Sequence, residues 1–230
     1  MWILDLGLNI LVILVLVIVI QRWIIAPFDV SGASMCDNFN VIDGECINES
    51  GERLIINEAS YIFSDPERGD VIIFKTEDLD GFHLKELIGI THDKYFIKRV
   101  IGLPGETVEI ENGEVYITPV DGERFELQEE YLNEENRDNT TAWFGRDLDT
   151  FEVPADSYFV LGDNRKHSTD SRSCFQGQFE ISCVENYEET AYVKKDLIRG
   201  KAWFVWWPLS NMRLIHQPDY PSASLSLEEK

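Results

Sequence analysis

Three short segments carry side chains able to do chemistry together. In Ser31-Gly32-Ala33-Ser34-Met35 a serine lies between small residues, where a turn can present its hydroxyl and its backbone N–H side by side. The G-x-S-x-G nucleophile elbow is excluded, because Cys36 occupies its last position. In Tyr95-Phe96-Ile97-Lys98-Arg99-Val100-Ile101 the two-residue alternation of a strand sets Lys98 beside Phe96 and Val100, with Arg99 opposite beside Ile97 and Ile101. A lysine on an apolar face is penalised while charged. Its usual pKa of about 10.4 can then fall by several units, each corresponding to about 1.36 kcal/mol. The neutral amine is a competent general base toward a serine hydroxyl. The third segment, Gly162-Asp163-Asn164-Arg165-Lys166-His167-Ser168-Thr169-Asp170-Ser171-Arg172, is dense in hydrogen-bonding side chains. Each segment alone also fits a plain structural use: a Gly/Ser connector, an edge-strand lysine in water, a solvated turn. A rival base would come from His83, His92, His167 or His216, of which His167 lies near Asp163 and Asp170; a rival nucleophile would be Cys36.

The elements that must position these residues read as strands and turns. Val71 to Phe74 follows a turn-like Asp65 to Asp70, so Arg68-Gly69-Asp70 is a turn before a strand rather than an adhesion tripeptide. Tyr95 to Leu103 is β-rich and runs into the turn Leu103-Pro104-Gly105-Glu106. Val108 to Glu111 and Glu114 to Ile117 flank Asn112-Gly113, a strong hairpin signal. Tyr158 to Leu161 and Ala202 to Trp207 complete the clear strands, and helical patterning is missing after residue 30. The expectation is a mainly β fold with an antiparallel sheet as its core. Residues 121–150 are polar and acidic with few apolar anchors, and a smaller β excursion, peripheral to the core, is expected at about 107–152.

Trp2 to Ile20 is interrupted only by Asp5, Gly7 and Asn9, and its nineteen residues would span about 28 Å as a helix, near the ~30 Å hydrocarbon core. Gln21, Arg22 and Trp23 follow as interfacial residues. A basic n-region is absent and Ser31-Gly32-Ala33 begins eleven residues past Ile20, so a retained anchor is expected over a removed leader. The chain thus divides into an anchor at 1–25, a body at 26–218 and a disordered tail at 219–230. Its 230 residues carry 20 basic against 42 acidic side chains, a formal charge of −22, which argues against a nucleic-acid partner. Cys36, Cys46, Cys174 and Cys183 form two local pairs beyond the anchor; local disulfides suit an oxidising compartment, with reduced thiols the alternative. Neither pair has the spacing of a structural zinc site.

The ordered set Ser-Gly-x-Ser-Met after an anchor, Arg-Gly-Asp-Val-Ile-x-Phe, Phe-Ile-Lys-Arg-Val-Ile-Gly-Leu-Pro-Gly and Gly-Asp-Asn-Arg-x-x-Ser-x-Asp-Ser-Arg resembles the type I signal peptidases, membrane-bound serine proteases with a Ser/Lys dyad. The resemblance runs from the anchor to about Trp207. It implies Ser34 as nucleophile, Lys98 as general base, Ser168 orienting the lysine, and supporting ion pairs Asp170–Arg172 and Arg99–Asp163. It implies an oxyanion donor at the Ser34 N–H; a side-chain donor two positions earlier is lost, because Gly32 stands there. Phe28, Val30, Met35 and Ile97 would line shallow pockets that accept small side chains. The substrates implied are exported preproteins with small residues at the cleavage site, lying extended along an exposed strand at a lipid bilayer. No cofactor and no metal is implied. The implied topology is single-pass in the cell membrane with the N-terminus inside, against the weak hint from Arg22. One departure stands out: Cys36-Asp37-Asn38-Phe39 replaces the family's x-Pro-Thr-Leu after the nucleophile, and a Cys36–Cys46 bridge would stiffen the segment in place of proline. The alternatives are a related Ser/Lys peptidase with one dedicated substrate and a non-catalytic, membrane-tethered β ectodomain.

Overall fold

Short strands set the architecture, some alternating in burial and the central ones buried along most of their length. The structure, a computed structural model, describes residues 2–75, 95–142, 149–175, 187–218 and 220. Helix α1 (Trp2–Trp23) is followed after one residue by β1 (Ile25–Asp29). Then come β2 (Val41–Ile42), β3 (Glu45–Cys46), β4 (Arg53–Asn57), the one-turn helix α2 (Ser60–Phe63), β5 (Val71–Lys75) and β6 (Tyr95–Gly102). The second half holds β7 (Thr107–Glu111), β8 (Glu114–Thr118), β9 (Phe125–Glu126), β10 (Thr150–Glu152), β11 (Ser157–Leu161), β12 (Val193–Lys194), β13 (Ile198–Trp207) and β14 (Arg213–Leu214).

Every strand pairing among the described residues is antiparallel. The main sheet runs β1-β4-β13-β5-β6-β11-β12 with β14 beside β13; β10-β7-β8-β9 form a second sheet and β2-β3 a hairpin. β6 therefore lies inside the main sheet, and its last six residues are buried. One face of the sheet packs Val71, Ile73 and Ile97 with Val30, Met35 and Leu54. The other packs Ile72, Phe74 and Val100 with Tyr158 and Val160. Burying an aliphatic side chain of this size stabilises by about 1.5–3 kcal/mol, so a residue inside such a strand is held firmly in place.

The second sheet has one apolar face, made of Val108, Ile110, Val115 and Ile117, which packs with Ile101, Phe151 and Phe159. Its hairpin tip needs positive φ at both Asn112 (55°) and Gly113 (96°), as the Asn-Gly pair provides. Gly113 is required twice over, because a Cβ there would lie 2.0 Å from the Asp138 carbonyl oxygen. That contact reveals a difference from the sequence expectation: residues 127–141 are packed down rather than peripheral. Leu127, Leu132, Asn136 and Thr140 are buried, and the Thr140 N–H donates to the Gly113 carbonyl at 2.9 Å. Irregular spacing of these anchors gives neither a two-residue nor a 3.6-residue period, so no pattern announces them. Of the expected tail, only Tyr220 is described; 219 and 221–230 lie outside the described residues. Counted on the described residues, no helix is long and apolar enough to cross a membrane.

Candidate active site

Ser34 lies in a turn after β1, and Gly32, at φ 87°, allows the chain to enter it. The turn is bound from several sides. The Asn164 N–H donates to the Ser34 carbonyl at 3.1 Å and Asn164 Nδ2 to the Ala33 carbonyl at 3.0 Å. Cys36 is joined to Cys46 by a disulfide, which closes the turn onto the β2–β3 hairpin and removes Cys36 as a rival nucleophile. Cys174 is also disulfide-bonded, while Cys183, its expected partner, lies outside the described residues. Among the described residues no hydrogen bond leaves the Ser34 N–H.

Lys98, placed by β6, donates from Nζ to Ser34 Oγ at 2.7 Å and to the Ile97 carbonyl at 2.8 Å. It is 2% exposed, its Nζ lies 5.7 Å from the centre of the Phe96 ring, and among the described residues no carboxylate pairs with it. Burial pulls its pKa down from 10.5 to about 8; the charges of Asp170 and Asp163 resist this and that of Arg172 assists it. A buried amine that sheds its proton near pH 8 and touches a serine hydroxyl can take that hydroxyl's proton.

The adjacent Arg99 meets the opposite treatment. Its Nε and Nη2 bond to the two oxygens of Asp163 at 2.8 and 2.6 Å, and Nη1 donates to the Gly69 carbonyl at 3.0 Å. Its guanidinium lies 4.2 Å from the centre of the Tyr131 ring. Burial alone would lower the Arg99 pKa, but Asp163 outweighs it and drives the pKa up. In the polar loop, Asp170 takes Arg172 Nε at 2.9 Å and Nη2 at 2.8 Å, together with the Gly162 N–H at 3.1 Å. Burial opposes ionisation of Asp170, yet Arg172 and these donors hold its pKa below the usual carboxylate value. Asp170 also caps the short 3-10 turn Ser171–Ser173.

Among the described residues Lys98 Nζ donates to Ser34 Oγ and to the Ile97 carbonyl, while Ser168, expected to orient the lysine, lies beside Asp170 and helps to hold that carboxylate ionised. Ser168 also lies against Gly162, where a Cβ would come within 2.2 Å of Ser168 Oγ and 2.4 Å of the Ser34 carbonyl. The expected pocket residues Phe28, Val30, Met35 and Ile97 fall in one apolar cluster, in which Val30 and Met35 have no exposed surface, Ile97 has 4% and Phe28 is half-buried. His167 is exposed, His216 lies in the segment after β14, and His83 and His92 fall outside the described residues.

Several contributors escape a reading of the sequence. Glu129 makes a bidentate pair with Arg165 at 2.6 and 2.5 Å, and Arg165 Nη1 donates to Thr140 Oγ1 at 2.7 Å. Arg213 pairs with the buried Glu52, which in turn accepts the Asn40 N–H at 2.9 Å beneath the nucleophile turn. The β2–β3 hairpin had a usable signal in Asp43-Gly44; the others had none, since their partners are remote in the chain.

A serine hydroxyl paired with a desolvated amine, on an antiparallel β scaffold, defines a serine peptidase. The family model described as "Signal peptidase, peptidase S26" matches residues 3–207, and the chain belongs to that family. Signal peptidase I P of Bacillus subtilis subsp. natto is 33% identical over 92% of this chain and 92% of its own. A probable signal peptidase I-1 of Synechocystis sp. is 42% identical over 54% of each chain. A signal peptidase I crystal structure from Enterococcus faecalis V583 is 28% identical and covers 60% of this chain and 97% of its own, at a TM-score of 0.36.

Proposed function

We propose that this peptidase removes N-terminal signal peptides from exported preproteins through a Ser34/Lys98 dyad. The observation that carries the reading is the 2.7 Å contact between Ser34 Oγ and a Lys98 amine that is 2% exposed. Ser34 Oγ attacks the scissile carbonyl carbon while its proton passes to Lys98 Nζ. The Ser34 N–H stabilises the oxyanion, a type of contribution worth roughly 3–4 kcal/mol in other proteases. Lys98 returns the proton to the leaving amine, and an ester on Ser34 remains. Water then attacks the ester, giving its proton to Lys98, and the acid product leaves with the serine restored. Asp163 with Arg99, and Asp170 with Arg172, act as supporting pairs that fix the base strand and the polar loop.

The substrate lies extended beside β1, the outer strand of the main sheet, whose Pro27 suits an edge position. The apolar cluster around Phe28 would receive the small side chains at the cleavage site. α1 serves as the anchor: 22 helical residues reach about 33 Å. Its described apolar side chains, Leu6 to Ile18, stand exposed in one run, a surface that lipid would cover. Residues 26–218 then form an extracytoplasmic catalytic body.

The experiment is cleavage of a purified preprotein by the full chain in detergent, with the new N-terminus identified by mass spectrometry. Cleavage after a small-x-small site, lost in both Ser34→Ala and Lys98→Ala, is expected. Activity persisting in both variants ends the reading.

A further inference from the structure

The nucleophile turn ends in Asp37 and Asn38, the two residues that replace the expected Pro-Thr. Asn38 Nδ2 donates to Asp163 Oδ2 at 2.9 Å and to the Tyr131 carbonyl at 3.1 Å. The same Asp163 oxygen takes Arg99 Nη2 at 2.6 Å, and Arg99 follows Lys98 in the chain. A ring closes: from Ser34 along four residues to Asn38, across Asp163 to Arg99, back one residue to Lys98, and over the 2.7 Å contact to Ser34. Residues 129–140 brace the ring from outside. The Asp37 carboxylate accepts Asn133 Nδ2 at 2.5 Å and Asn136 Nδ2 at 3.1 and 3.0 Å. Asp37 sits at φ 134°, a strained value for a side-chain-bearing residue that persists only where its surroundings hold it.

We propose that Asn38 is a positioning residue: by tying the nucleophile turn to the carboxylate that grips the neighbour of the base, it sets Ser34 Oγ within reach of Lys98 Nζ. The inference rests on the Ser34/Lys98 reading above. Its physical content is twofold. Loss of the amide donor frees the turn from Asp163, and a misplacement of about 1 Å between reacting groups can cost on the order of 10²-fold in rate. Loss of the donor also leaves the Asp163 charge less neutralised. The charged groups acting on Lys98 are Asp170, Asp163 and Arg172, with Arg99 beside it on the strand. A stronger field from Asp163 keeps the proton on Lys98 to higher pH.

The test is steady-state cleavage by the full chain in detergent across the alkaline range, for the wild type, Asn38→Ala and Asn38→Asp, with folding followed by thermal melts. Asn38→Asp keeps the side chain's size but exchanges the donor for a charge. The expected result is kcat lowered about 10- to 100-fold with KM little changed. The acid limb of the profile should move to higher pH, further in Asn38→Asp than in Asn38→Ala. Wild-type kcat with an unmoved limb in Asn38→Asp overturns the proposal. Should Asn38→Asp not fold, Asn38→Thr and Asn38→Val, equal in shape with and without a donor, carry the comparison: Thr above Val supports it, and equal rates overturn it. Ser34→Ala and Lys98→Ala run alongside. Cleavage retained in these two sinks the dyad; cleavage lost in these but intact in every Asn38 variant sinks only the positioning role.

Discussion

Lys98 and Arg99 are neighbours on one strand and are buried almost equally, at 2% and 3% exposure, yet the two faces of β6 treat them in opposite ways. Around Arg99 lie a carboxylate with two bonds, a carbonyl and an aromatic ring. Lys98 has an alcohol, its neighbour's carbonyl and a phenylalanine. Burial with a counter-ion locks a proton on, and burial without one loosens it. The arginine face is built for rigidity and the lysine face for proton transfer.

The largest expected effect comes from making the lysine face permanently charged. Lys98→Arg keeps the cation but cannot shed its proton, and preprotein cleavage should fall by on the order of 10⁴-fold or more. Activity surviving that change would mean the proton-transfer role of this face is wrong. Next is the arginine face. Asp163→Ala leaves Arg99 buried and unpaired, which should lower unfolding stability in urea by about 3–5 kcal/mol, while the double change Arg99→Met with Asp163→Leu should recover much of the loss.

A subtler effect separates the two faces by pH. The folded pKa of Lys98, about 8, lies below its ordinary 10.5, so the folded protein binds fewer protons than the unfolded chain between those values. The cost of burying the amine is therefore full below pH 8 and fades as pH rises toward 10.5. Lys98→Met should raise stability by about 3 kcal/mol at pH 7 and by little near pH 10.5, a difference read from urea midpoints at the two pH values. The same titration sets the activity profile of the wild type, whose acid limb should have its midpoint near pH 8 in single-turnover cleavage. The smallest effect belongs to a surface pair. Arg124, bonded to Glu109 and Glu111 on the outside of the second sheet, should give an unchanged urea midpoint when replaced by alanine.

Much of the arrangement around β6 can be read in the chain, because it depends on local rules. Strand alternation separates Lys98 from Arg99, Asn112-Gly113 marks its hairpin, and Cys36 and Cys46 are close enough in sequence for a local bridge. The brace made by residues 129–140 could not be read. Its bonds join Tyr131 to Asn38, Asn133 to Asp37 and Glu129 to Arg165, separated by 93, 96 and 36 positions, and polar residues that pair across such distances look like a solvated loop. How deeply the four expected pocket residues are buried could not be read for a related reason: an apolar residue near a site reads the same whether it stands half-buried, like Phe28, or fully enclosed, like Met35. The Ile97 carbonyl bonded to Lys98 Nζ could not be read either, because a backbone acceptor is present in any sequence.

Gly162 carries a further consequence for anyone redesigning this molecule. Its backbone passes between Ser168 and the Ser34 carbonyl with less clearance than one methyl group requires. The smallest side-chain addition, Gly162→Ala, would push on the backbone of the nucleophile itself. Libraries meant to broaden substrate choice should leave that position fixed and place their diversity around Phe28, where the surface is still open.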